Sequence, residues 1–410
     1  MNFQAPPDPP HAIAAAASIV NLAAALALRC GAPAGAAALA DPRIRDAIAA
    51  ARSIVLVVLD GFGERQLHDH AAGGALADCR LATLSSVFPS STAPAMTSFA
   101  SALLPAVHGN PGWFVWSQAQ QCIVRSLPLD VRGDPAMPVE AGSLWSWPAW
   151  PTASKLPCFA WLPAEIAESR YSRFAYDGAT RIGYRRLDDI GGALAEVLQA
   201  SPAGAFAQIY LPQFDAVSHE FGCRSPQAAR VASDFDRWFE RLAHRLREFD
   251  VLLLATADHG FIDVEPDDQY QLADYPALAA CLSRPLTGEP RVPFCQVRAG
   301  REDEFTESVA QAFDGAFDVY ASEALLAAGW FGLPPAELDP GAHREAGAAL
   351  TRQGLHERLG THLLVPRAPV VLLDQVDGER APAFIGMHGG ISDDEMRVPL
   401  MAAYRGHALG

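Results

Sequence analysis

Apolar residues along the chain fall into two kinds of pattern. The first is the short continuous run. Ser53–Leu59 (SIVLVVL), Ala205–Leu211 (AFAQIYL) and Asp250–Thr256 (DVLLLAT) are rich in β-branched and aliphatic residues without polar alternation. Such runs predict strands buried on both faces, as in a parallel sheet. The second pattern has helical spacing. Between Pro226 and Glu248, Val231, Phe235, Trp238, Phe239, Leu242 and Leu246 recur on one face, which predicts an amphipathic helix. Strand, helix, strand is the signature of a βαβ unit. Near the start, Ala12 to Leu28 is alanine-rich and interrupted by Asn21. It lacks a preceding basic segment and is short for a span, so an amphipathic or buried helix is expected rather than a signal or a membrane segment.

Two stretches break these patterns. Pro111 to Pro163 is crowded with Trp and Pro (WFVWSQ, SLWSWPAWP), and Asp263 to Pro382 mixes short helical and extended fragments. Both read as insertions on a core. Tryptophans in such insertions serve as lids or as stacking surfaces for a ring.

Composition narrows the function. The chain has 410 residues, half of them hydrophobic and 19% charged, with a formal net charge of −16. That is too apolar for a disordered protein. Lys155 is the only lysine. A broad face for nucleic-acid backbone is therefore not expected, and an anionic substrate needs local attraction against the global field. The seven cysteines, Cys30, Cys79, Cys122, Cys158, Cys223, Cys281 and Cys295, are odd in number, widely spaced and without a CxxC pair. They predict reduced thiols in a cytoplasmic protein, and neither a disulfide framework nor a cysteine zinc site.

The chemistry gathers where the buried runs end, the place where α/β sheets collect functional groups. The first run ends in Asp60, the second leads to Asp215 and His219, the third to Asp258 and His259, and a later segment carries His388 between glycines. Each has a bland alternative, since aspartate caps turns and an i, i+4 Asp–His pair decorates many helices. Together, three carboxylates and three imidazoles suit a catalytic metal site, zinc first, with manganese or iron as alternatives. A nucleophile candidate lies in Phe88-Pro-Ser-Ser-Thr-Ala-Pro. Thr92 stands at a predicted helix start, where free N–H groups and the helix dipole favour phosphate. Position alone leaves Ser90 and Ser91 as equal rivals, and leaves Thr92 as an ordinary cap.

The segments VVLDGFG, FPSSTAPAMTSFASALLPAVHG, YLPQFDAVSHEFG, TADHGF and GMHGGISDDEMRVPL together resemble the type I phosphodiesterase/nucleotide pyrophosphatase family of the alkaline phosphatase superfamily. The resemblance implies an α/β fold, with a central, mostly parallel sheet flanked by helices, in one catalytic domain over residues 1–410. Cap insertions are expected within 111–186 and 263–382. It implies two divalent metal ions, zinc or else manganese. Asp60, Thr92, Asp258 and His259 would hold one, and Asp215, His219 and His388 the other. It selects Thr92 as the nucleophile that forms a phospho-threonine. The implied substrate is a small phosphodiester or nucleotide, with no long nucleic acid and no membrane as partner.

One position departs from the family pattern. Members often carry an asparagine that donates to a phosphate oxygen, and Trp113 falls there by spacing, with Asn110 three residues earlier. Both are candidate substrate contacts. Trp113, Phe114 and Trp116 could equally wall the site or plug the cap. The alternatives are a phosphomonoesterase or phosphomutase of the same superfamily and a non-catalytic, metal-stabilised binding protein.

Overall fold

The computed structural model describes residues 6–9, 16–332, 355–379, 384–405 and 407–409. Seven strands build the main sheet: β1 (Ser53–Leu59), β2 (Arg80–Ser85), β3 (Cys158–Pro163), β4 (Ala179–Tyr184), β5 (Phe206–Leu211), β6 (Val251–Thr256) and β7 (Arg397–Tyr404). Their order is β2-β7-β6-β1-β5-β3-β4, with the short strand His407–Ala408 paired to β7. Only β7 runs against the others; the short strand pairs antiparallel with β7 and so shares their direction. All three predicted runs occupy the centre. Every residue of β1, β5 and β6 is buried, which explains why their sequences show no alternation.

Helix α1 (Ile19–Arg29) is capped by Ser18, whose side chain accepts from the Asn21 backbone N–H. Nine of its eleven residues are buried, so residues 19–28 of the alanine-rich segment belong to an internal helix that packs on α2 (Thr92–Ser101), while residues 12–15 lie outside the described residues. No helix among the described residues is long and apolar enough to cross a membrane. Helix α3 (Gln213–Phe221) follows β5, and α4 (Pro226–Leu246) lies where the helical spacing predicts it, capped by Ser225 with Pro226 in its first turn. Its apolar face, including Phe235, Trp238, Phe239 and Leu242, is buried in the same core as the sheet. All seven cysteines are unpaired.

The span 111–186 divides. Strands β3 and β4 join the main sheet, and Trp145, Trp147 and Trp150 are buried in the main core. The tryptophan-rich SLWSWPAWP segment is therefore core material. Residues 114–138 supply four strands of a second eight-stranded sheet, and residues 287–295, 317–321 and 362–366 the other four. The two segments meet where Gly288 pairs with Phe114. This sheet stands beside the carboxyl ends of the parallel strands and shares a cavity of about 620 Å³ with them.

Candidate active site

Strand register explains the centre of the site. Val58 of β1 lies level with Tyr210 of β5 and Thr256 of β6. Asp60 and Asp258 each follow two residues later, so adjacent parallel strands deliver two carboxylates to one point at the sheet edge. Both are fully buried. His259 follows, with Nε2 3.3 Å from Asp60 and 3.7 Å from Asp258. Asp215 sits in the first turn of α3 and His219 one turn on. The i, i+4 spacing places them on one face, with His219 Nε2 3.4 Å from Asp215 Oδ1. His388 arrives from the pair of short strands 262–263 and 386–387, with Nε2 3.6 Å from the same oxygen.

The structure thus brings together all seven residues expected to hold metal. Possible ligand atoms of Asp60, Asp258 and His259 lie within 4.8 Å of one another, and so do those of Asp215, His259 and His388. His259 stands between the two groups. In the second tight group it takes the place expected of His219, which flanks Asp215.

Two observations show that these residues fit cations. Each of the three imidazoles turns Nδ1 to a backbone carbonyl: His219 to Gly386 at 2.8 Å, His259 to Gly260 at 3.0 Å and His388 to Ser90 at 3.3 Å. A carbonyl only accepts, so Nδ1 carries a proton and each Nε2 faces inward, the orientation of a metal-ligating histidine. In addition, Asp258 Oδ2 and Asp215 Oδ1 are buried without a hydrogen-bond partner, an unfavourable state that a bound cation relieves.

The electrostatics of the bare residues agree. Burial pushes the Asp258 carboxyl well above its usual range, reinforced by the charge of Asp60. Burial acts on Asp60 in the same direction, but hydrogen bonding to His259 and to the Tyr210 hydroxyl outweighs it and holds the group low. His259 is buried too, yet its carboxylate neighbours, Asp258 first, carry it up to about 10. A proton shared among buried acids marks a place built for positive charge.

Thr92 is the first residue of α2, and Ser91 is the N-cap, without a side-chain capping bond. The Thr92 hydroxyl lies 3.4 Å from Asp60 Oδ1 and 3.1 Å from His259 Nε2. Its rivals point elsewhere. Ser90 Oγ donates to the Gly390 carbonyl at 2.7 Å, and Ser91 Oγ donates to Glu289 at 2.5 Å.

The two candidate substrate contacts separate. Trp113 lines the cavity together with Thr92, Asp215, His219 and His388. Asn110 is fully buried, and its amide donates to Thr97 Oγ1 at 2.9 Å and to the Ala93 carbonyl at 3.3 Å. It braces α2 and does not line the cavity. Phe114 also lines it, beneath the Arg132 guanidinium at 3.9 Å, whereas Trp116 stacks on Arg284 away from it.

Three neighbours of the site carry no sequence signal. Tyr210, whose hydroxyl donates to Asp60, is hidden in an apolar strand. Phe384 stacks on His219 at 4.5 Å. Glu289 lies in a cap turn 198 residues from its partner Ser91.

Residues 54–390 match the family model described as type I phosphodiesterase/nucleotide pyrophosphatase. No curated protein sequence matches the chain. Among solved structures, murine ectonucleotide pyrophosphatase/phosphodiesterase 5, as an inactive variant in complex with AMP, superposes with a TM-score of 0.59 at 17% identity, covering 85% of this chain and 87% of that one. The human ectonucleotide pyrophosphatase/phosphodiesterase 5 gives 0.59 at 18% identity with the same coverage. At such identity the likeness is one of fold.

Proposed function

The chain belongs to the type I phosphodiesterase/nucleotide pyrophosphatase family of phosphoester hydrolases, and we propose that it cleaves a small phosphodiester or nucleotide pyrophosphate through a phospho-threonine on Thr92. The observation that carries this reading is the Thr92 hydroxyl at a helix start, within reach of Asp60 and His259, with Asp215, His219 and His388 across the site. Asp60, Thr92, Asp258 and His259 would hold one divalent cation and Asp215, His219 and His388 a second. Such cations, zinc or manganese, lower the pKa of a coordinated hydroxyl and neutralise phosphoryl oxygens.

The chain's own groups do the rest. The first-turn N–H groups of α2 have no intrahelical partner and point a positive dipole end at the phosphoryl group. Thr92 Oγ attacks phosphorus, and the alcohol or phosphate opposite it leaves into the apolar cavity. Tyr210 holds Asp60, and the backbone carbonyls behind the three histidines fix their rings. Water then releases the phosphoryl group from Thr92. In the structural relative bound to AMP, a nucleotide is the ligand, which makes nucleotides the first substrates to try.

The test is Thr92→Ala. Turnover of an aryl phosphodiester should fall at least about a thousandfold, as for loss of other nucleophiles, with the circular dichroism spectrum unchanged. Acid-quenched wild-type protein should carry a phosphoryl group on the Thr92 peptide. If Ser90→Ala or Ser91→Ala is the dead variant while Thr92→Ala turns over, the assignment is wrong. Protein that holds no metal and gains no activity with zinc or manganese would sink the two-metal part.

A further inference from the structure

Glu289 is a buried carboxylate beside the nucleophile segment, and its position bears on which phosphoesters the site accepts. It sits in the cap turn between strands 287–288 and 293–295, is 5% exposed and lines the cavity with Ser91 and Thr92. One oxygen, Oε1, accepts both the Ser91 hydroxyl at 2.5 Å and the Trp113 backbone N–H at 2.7 Å. Two donors converging on one oxygen suit an ionised carboxylate. No hydrogen bond to Oε2 occurs among the described residues. Burial pushes the Glu289 carboxyl up to about 7, while the bonds from Ser91 and Trp113 and then the charge of His259 and His219 pull it down, so the group is mostly ionised at pH 8.

Among the described residues, the arginines that line the cavity, Arg125 and Arg132, already have acid partners, and so has Arg291 nearby. Arg125 is paired with Asp130 at 2.6 Å, Arg132 with Glu379 at 2.9 Å and Arg291 with Glu395 at 2.8 Å. Asp374 adds another carboxylate to the cavity lining. A site for a phosphomonoester has to neutralise a second negative charge on the transferred group. Here the chain supplies an acid at that edge and pairs the described arginines of the cavity lining with other acids.

We propose that Glu289 is a specificity-determining residue: its carboxylate disfavours the dianion of a phosphomonoester and leaves the monoanionic phosphodiester as the substrate class. The proposal rests on phosphoester hydrolysis at Thr92 and adds the reason for diester preference. Trp113 supplies no side-chain amide to the phosphate, and its backbone N–H is committed to Glu289. Selection therefore comes from repulsion of the wrong charge.

The experiment compares bis(para-nitrophenyl) phosphate with para-nitrophenyl phosphate at about pH 8, above the second phosphate ionisation near 6. Wild-type protein should prefer the diester. In Glu289→Gln, which keeps the shape and removes the charge, the diester-to-monoester ratio of kcat/KM should fall about tenfold or more, since like charges at this range and depth repel by that much. Glu289→Asp, which keeps the charge, should keep a diester preference. Calorimetric affinity for inorganic phosphate should rise about tenfold in Glu289→Gln on the same Coulomb argument. If Glu289→Gln fails to fold, Glu289→Ala reads the same ratio without placing an amide in the turn. Equal loss of both activities, with the ratio and phosphate affinity unchanged, overturns the proposal and leaves Glu289 a mere brace for Ser91. Wild-type protein inactive on every phosphoester would overturn the hydrolase reading, and this proposal with it.

Discussion

At the residue scale, the site depends on which atom of each side chain faces inward. The Asp and His positions are legible in the sequence because each follows an apolar run or lies between glycines. The proton on each Nδ1 is not, since it is set by carbonyls of Gly386, Gly260 and Ser90, which reach the rings only on folding. Tyr210 and Glu289 are illegible for a related reason. An aromatic inside a strand and an acid inside a turn are ordinary until their partners are known. His108 shows a residue-scale consequence away from the chemistry. It is fully buried between Ser98 Oγ at 3.0 Å and the Asn110 backbone N–H at 3.1 Å. Burial, aided by Arg358, pulls its pKa from 6.5 to about 3. The unfolded chain therefore binds a proton that the folded chain refuses between those values. Stability is fully present above pH 6.5 and is lost progressively as pH falls toward about 3, where the loss levels off. Urea titrations of His108→Asn should show a shallower decline over that window than wild type.

At the element scale, the three apolar runs became β1, β5 and β6 because their burial on both faces leaves no other placement for them. The helical spacing in α4 was as legible. The insertions were not, because their strands are two to five residues long, and the link between them, Gly288 with Phe114, spans a large sequence separation. Such strands have no periodicity of their own to read. Nor does composition separate the buried tryptophans 145, 147 and 150 from the cavity-lining Trp113. One helix end carries a correctable strain. Helix Glu302–Phe313 stops at Asp314, an exposed residue in the left-handed region at φ +44°. Glycine has no Cβ penalty there. Asp314→Gly should stabilise the protein by up to about 1 kcal/mol, read as a higher urea midpoint with an unchanged slope.

At the scale of the whole molecule, the turn that carries Glu289 and the segment after His388 are tied by buried charge. Arg291, two residues from Glu289, pairs with Glu395 through two bonds of 2.8 and 2.9 Å, and both side chains are buried. Glu395 also accepts the Gly390 N–H at 2.7 Å and the Ser392 hydroxyl at 2.7 Å. This fixes the glycine turn beside His388. Arg291→Met should cost about 3–5 kcal/mol by stranding Glu395, and should lower turnover through the loosened turn. Replacing both residues by apolar ones should recover most of the stability in urea unfolding. The net charge of −16 also changes meaning at this scale. Asp60, Asp215 and Asp258 converge on one point with inward-facing imidazoles, so part of the acidity is local and matched to cations. On the proposed reading, the remaining acid surface would repel a long polyanion and leave the site to a small ester.

The sequence by itself determined the sheet's central strands, the helix that opens at Thr92 and the identity of the groups at the strand ends. Burial patterns and turn residues are local properties, and a chain carries them before it folds. Only the tertiary structure decided which of Ser90, Ser91 and Thr92 faces Asp60 and His259, that His259 stands between two groups of possible ligands, and that Glu289 stands beside Ser91. Those facts depend on register between adjacent strands and on a cap turn brought across nearly two hundred residues, distances over which sequence spacing carries no geometric information.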